Sequence, residues 1–179
     1  VVDDHIATGV LGDVVVYRRG RMKLAHNDIG AEIAAISRRE TPDEFPMRLI
    51  GMRQPRSENS WMHNSPMLMG PVLKRGDRAH GALMNADDAA ALAIADGDTV
   101  CIRSATGAIE VPVTLTADIV RGAIAVPHGW GHSGSGGWKL ANRGGGVNVN
   151  TLMSTAPADV ESLAGMSWLT GVPVRVQSA

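Results

Sequence analysis

Residues 82–127 read ALMNADDAAALAIADGDTVCIRSATGAIEVPVTLTADIVRGAIAVP, and most element boundaries in this stretch are set by residue type. Asn85 is a good N-cap for a short helix, DDAAALAIA, which places Asp87 and Asp88 at the positive end of the helix dipole. Asp96-Gly97-Asp98 then ends the helix in a tight turn. Thr99 to Arg103 and Ala108 to Leu115 alternate apolar and polar residues around the turn Ser104-Ala105-Thr106-Gly107, which predicts a hairpin. Gly122 to Val126 reads as another strand and Pro173 to Gln177 as a closing one. Short strands with one or two small helices predict a mainly β fold, a β-barrel with helical insertions.

Upstream, residues 1–46 read as an N-terminal extension and linker with one short helix, and 47–179 as the main domain. Val14 to Val16 make a short strand candidate, followed by the basic turn Arg18, Arg19, Gly20, Arg21. Over 28–39, Ile29, Ile33 and Ile36 fall at helical spacing, with Asp28 as N-cap and Arg38 and Arg39 at the end the dipole favours. RETPDEFP then leads into the main domain.

A formal net charge of −1 argues against a sequence-independent nucleic-acid binder. Cys101 is the only cysteine, which excludes an internal disulfide and a cysteine-ligated zinc or iron–sulfur site within this chain. Its strand-like setting between Val100 and Ile102 points to an inert thiol. No apolar run approaches the length of a membrane helix, and VVDDHIATGV lacks a signal-peptide pattern. The chain has no initiator Met, which favours a fragment. These features favour a cytoplasmic location, with any export signal on a missing upstream part.

Two loops differ from ordinary connections. MRQPRSENSWMHN, residues 52–64, follows the apolar run Met47, Leu49, Ile50, and Gly51 and Pro55 keep it from becoming a helix. Its guanidinium, amide, indole and imidazole groups suit a ligand with phosphates and a flat heterocycle. The alternative is a polar loop ordered only by itself. The second loop, His128 to Asn150, has eight glycines between Gly129 and Gly146. These permit close backbone approach to a bulky anion, or plain flexibility. Three of the four Trp, namely Trp61, Trp130 and Trp138, lie in these loops, which weakens the view that each simply fills a core. Aromatic residues are only 3% of the chain, so that placement is selective.

Other candidates weigh less. His128 and His132 are four apart, but glycines at 129, 131 and 134 make the helix a zinc pair would need improbable. Lys139, Asn142 and Arg143 reach phosphate or form a solvated tip. Asp87 and Asp88 accept from a guanine or merely favour the helix start, and Glu58 accepts from a guanine amine or pairs with an Arg. No nucleophile triad or phosphate-loop signature is present.

Four blocks in order carry a resemblance: LIGMRQPRSENSWMHN, NADDAAALAIADGDTVCIRS, VRGAIAVPHGWGH, and GVNVNTL followed by LTGVPVRV. Over roughly Met47 to Gln177 the chain resembles the C-terminal molybdopterin-dinucleotide-binding domain of the dimethyl sulfoxide reductase superfamily. That resemblance implies a double-psi β-barrel with both loops at one rim. It also implies a molybdopterin guanine dinucleotide whose dithiolenes hold molybdenum or tungsten. Arg53, Asn59, Ser60, Trp61, His63 and Asn64 match the family's cofactor-binding stretch, with Met52, Gln54, Arg56 and Ser57 beside them. His128, Gly129 and Trp130 match a segment beside the pterin, Asn150 matches a pterin contact, and Asn148 is its neighbour. Arg53 or Arg56 would bridge the diphosphate, Asn59, Ser60 and Asn64 would meet heterocycle edges, and Trp61 would pack on a ring face. The metal's protein ligand and any iron–sulfur cysteines would lie in upstream catalytic domains, so this chain alone should not turn over substrate. A stand-alone interaction module and a small separate subunit completing a pterin site are the alternatives. The module would show an apolar groove or strand edge.

Overall fold

The strands Met47–Met52 (β1), Ala82–Met84 (β2), Thr99–Arg103 (β3), Ala108–Leu115 (β4), Ala123–Pro127 (β5) and Thr170–Ser178 (β6) close into a barrel. Neighbours follow the order β1-β5-β2-β4-β3-β6 in this computed structural model. It describes residues 27–54, 59–69, 80–132, 138–161 and 164–179. The strand and basic turn expected at 14–21 lie outside these residues, as do Arg56, Ser57 and Glu58.

The barrel has two parallel pairs, β1 with β5 and β2 with β4, and the other contacts are antiparallel. This is a mainly β fold of the double-psi type. The alternation read from the sequence supplies its interior: Val100 and Ile102 from β3, and Ile109, Val111 and Val113 from β4, point inward. Leu49, Met84, Ile124 and Val174 meet them from the other strands, each fully buried. Burying such side chains contributes about 1.5–3 kcal/mol apiece, so the barrel interior is the main source of stability.

Local chemistry shapes the passage between β2 and β5 as expected, with one difference. Asn85 caps the helix Ala86–Ala91 (α2), its Oδ1 accepting from Asp87 N at 2.9 Å. The helix stops short of the residue-95 end expected from composition. Ala93 takes φ 54°, Ala93 N donates to Ala90 O, and Ile94 N donates to Ala89 O. That is a Schellman end, and it turns Ile94 into the core beside Ala89. Burial of Ile94 outweighs continued helix. Asp96 Oδ1 then accepts from Leu115 N and Gly97 N donates to Val113 O, tying the Asp-Gly-Asp turn to β4. Ser104 Oγ accepts from Thr106 N and Gly107 N to close the hairpin.

Asp87 and Asp88 fit the helix-start reading: Asp88 Oδ2 accepts from Gly122 N and its Oδ1 lies 3.6 Å from Arg121 Nε. Contacts divide the chain at Arg39/Glu40. In the first unit, Asn27–Ser37 is a helix (α1) with Asp28 inside its first turn rather than at the cap, and it buries no residue. In the second unit Phe45 is buried and Glu44 O accepts from Arg175 Nε, so the segment leading into β1 packs on the barrel.

Candidate functional site

Because β1 and β5 are parallel, their C-terminal ends reach the same rim, and both polar loops leave the barrel side by side. His128 N donates to Met52 O at 3.0 Å, carrying the pairing one step beyond the strands. Gly129, at φ 92°, then turns directly against Asn59, at φ 62°. A Cβ on Gly129 would overlap the Asn59 carbonyl oxygen, so only glycine permits this approach. Gly51 plays a similar part beside β6, where a Cβ would lie 2.7 Å from Leu169 O.

Between the loops opens a cavity of about 700 Å³. Arg53, Asn59 and Ser60 line it from the first loop, and His128, Gly129 and Asn150 from the second. Thr155, Ser167 and Thr170 add hydroxyls, while Val149, Met153 and Leu169 supply an apolar floor. Among the described lining residues there is no carboxylate. A guanidinium, amides and hydroxyls without an acid suit an anionic ligand with a flat polar edge. Burial and then the neighbouring Arg53 guanidinium lower the His128 pKa, so its ring is neutral and offers both a donor and an acceptor at neutral pH.

Other residues expected at the site work inside the rim instead. Gln54 Oε1 accepts from Trp130 Nε1 at 2.9 Å, joining the two loops. Trp130 is 5% exposed and sits between His63 and His80, so this loop tryptophan does fill a small core, contrary to the expectation for it. His63, in the 3-10 turn Trp61–Asn64, is wholly buried, with Nδ1 2.9 Å from His132 Nε2. Asn64 Oδ1 accepts from Leu140 N and Ala141 N at 3.1 and 3.3 Å, and so caps the short helix Lys139–Arg143 (α3). Asn148 Oδ1 accepts from Asn150 N at 3.1 Å and starts the 3-10 turn Val149–Leu152. Asn148 faces a separate cleft beside β3 and β4, whereas Asn150 lines the cavity. Trp61 is 80% exposed and does not line the cavity. Met52 ends β1 and contributes its carbonyl.

The glycine-rich reading of the second loop missed α3, whose cap comes from a residue 76 positions upstream. It also gave no sign of His80, whose Nε2 donates to Pro127 O at 2.9 Å. Thr155 and Ser167 carry no local signal, while Leu169 and Thr170 belong to the final block LTGVPVRV. Among the described residues no group of three His, Cys, Asp or Glu is placed to hold a metal.

The family described as Molydopterin dinucleotide binding domain matches residues 47–165. The chain is similar to a tetrathionate reductase of Salmonella typhimurium, 24% identical over 76% of this chain and 14% of that protein. It is also similar to the molybdopterin-containing subunit of the arsenate respiratory reductase of Chrysiogenes arsenatis, 28% identical over 88% of this chain and 20% of that one. Among solved structures, acetylene hydratase from Pelobacter acetylenicus shares the fold, with a TM-score of 0.61 and 18% identity over 91% of this chain and 21% of that one. The chain thus spans about a fifth or less of the length of these proteins.

Proposed function

Since the chain belongs to the Molydopterin dinucleotide binding domain family, the C-terminal cofactor-binding domain of the dimethyl sulfoxide reductase superfamily, we propose that the rim cavity takes the guanine form of that dinucleotide. The observation that carries this reading is the cavity between Arg53, Asn59 and Ser60 on one wall and His128, Gly129 and Asn150 on the other, whose described lining residues include no carboxylate. Arg53 pairs with the diphosphate, presenting a planar fork to two oxygens. Asn59, Ser60 and Asn150 offer donors and acceptors to heterocycle edges, and the Gly129 backbone lets a bulky ring approach. The apolar floor of Val149, Met153 and Leu169 excludes water from the bound group.

When bound, the cofactor supplies a molybdenum or tungsten centre for two-electron redox chemistry in the parent oxidoreductase. The metal's protein ligand and the remaining contacts come from upstream domains, and the isolated chain turns over no substrate. The single cysteine, Cys101, fits a cytoplasmic setting. A closed barrel leaves no strand edge among its six strands for a peptide to extend, which weighs against an adaptor role.

The test is titration of the chain with released molybdopterin guanine dinucleotide, followed by tryptophan fluorescence. Saturable binding is expected, weakened about tenfold or more in Arg53→Ala, because a charge-assisted hydrogen bond contributes roughly 1.5–3 kcal/mol. No saturable change, or an unchanged affinity in the variant, would sink this reading.

A further inference from the structure

Five rings from three parts of the chain form a continuous ladder under the rim. Trp138, His132, His63, Trp130 and His80 follow one another with centroids 5.3, 5.1, 4.2 and 5.6 Å apart. Within the ladder a polar contact joins the loops through two imidazoles, His63 Nδ1 to His132 Nε2 at 2.9 Å. Gly129 and Asn59, which close the cavity wall, sit next in the chain to this ladder or a few residues from it. His63 is wholly buried and its Nε2 lacks a hydrogen-bond partner. A ring placed this way holds the loops at one spacing.

A hydrogen bond between two imidazoles needs one nitrogen to donate and the other to accept. One added proton preserves it, because the charged ring still donates to a neutral partner. A second proton removes the last acceptor and leaves two N–H groups and two like charges facing each other. The groups acting on His63 are His132 and His80, and α3, packed on the same turn, carries Lys139 and Arg143. These described groups are all basic, so none of them offsets an added positive charge. Burial, then His132 and His80, lower the His63 pKa from 6.5 to about 4 against the opposing effect of the Gly129 backbone.

Resting on the cofactor reading above, we propose that His63 and His132 are a positioning pair for the rim cavity. Their hydrogen bond sets the spacing between the Arg53–Ser60 and His128–Gly129 walls, and double protonation parts the walls and releases the dinucleotide. Neither ring lines the cavity, so the pair acts through loop position rather than by contact.

The full chain is titrated between about pH 7.5 and about pH 3 with NMR of the histidine rings and of the Asn59, Gly129 and Gly131 amides. In parallel, the dissociation constant for released molybdopterin guanine dinucleotide is measured at both ends of the range. The His63 ring should titrate toward the acid end of this range, and the rim amides should follow its protonation. Affinity should fall about tenfold or more on acidification, while the β5 amides stay unmoved. His63→Phe keeps a ring against Trp130 but cannot titrate, and its affinity should change less than about twofold over the same range. His132→Gln serves as the second variant if His63→Phe does not fold. Rim amides that stay unmoved as His63 takes up its proton, or the wild-type pH dependence retained in the variants, would overturn the proposal. If the dinucleotide binds at no pH while the rim amides still follow the pair, the cofactor reading fails and a loop-spacing pair stands. If it binds with an affinity that ignores the pair's protonation, the pair fails and the cofactor reading stands.

Discussion

The passage from β2 to β5 and the rim above it are held together in opposite ways. In the passage, side-chain hydrogen bonds span two or three residues at Asn85, Asp98 and Ser104, and at most 34 at Asp88 and Asn85. At the rim, the His63–His132, Gln54–Trp130 and Asn64–α3 bonds span 69 to 77 residues. A local contact forms as its own segment orders, whereas a long one waits until β1 and β5 have paired. The rim is therefore a dependent structure. A few buried polar rings and one helix cap carry it, and it should open at lower free energy than the barrel beneath it.

Gly129→Ala is the strongest way to break that difference. The new Cβ would meet the Asn59 carbonyl oxygen, and the φ of 92° disfavours any L side chain. The expected loss is about 3 kcal/mol of rim stability together with dinucleotide binding. Hydrogen exchange should show it as lost protection in the loops with β3 and β4 protected as before. Equal loss in both regions would show that the rim is not a separate cooperative unit.

Acidification tests the same separation more gently. The folded pKa of His63, about 4, lies below its ordinary 6.5, so the unfolded chain takes up the proton first. This contribution to stability is complete above pH 6.5, declines as pH falls toward about 4, and is flat below that. Across that window it amounts to about 3 kcal/mol at most. Burial lowers the pKa values of His80 and His128 too, and both act with the same sign. Urea midpoints measured across this window should fall with pH in the wild type and fall less steeply in His63→Phe, where His80 and His128 still contribute. An identical slope in the variant would place the effect elsewhere.

The two regions also differ in how far residue types alone announce them. Alternation in 99–103 and 108–115 and the Asn85 cap specify their elements because the partner of each residue is close in sequence. The closed barrel follows from short strands, and the resemblance adds the double-psi crossing. At the rim, composition flagged a ligand site, and Arg53, Asn59, Ser60, His128, Gly129 and Asn150 do meet around one cavity. Composition gave no hint that His63, Asn64 and Trp130 hold the loops to each other, since their hydrogen-bond partners are 69 to 77 residues away. Spacing patterns cannot carry such information. Only β1–β5 pairing brings these residues together.

The smallest expected effect lies in the local region, at Ala93. Ala93 occupies the left-handed position of the α2 Schellman end at φ 54°, where glycine is the usual residue. Its methyl group is disfavoured there by about 1 kcal/mol, partly offset because glycine loses more backbone freedom on folding. Ala93→Gly should thus stabilise the chain by about 0.5 kcal/mol, raising the urea midpoint without altering its slope. Because Ile94 and Ala89 pack into the barrel core just beside this turn, the gain should appear in barrel amide exchange. The rim loops should be unaffected, as their bonds to one another do not involve α2. A gain shared by the rim amides would mean that the loops unfold only with the barrel, which would erase the contrast between local and long-range cohesion.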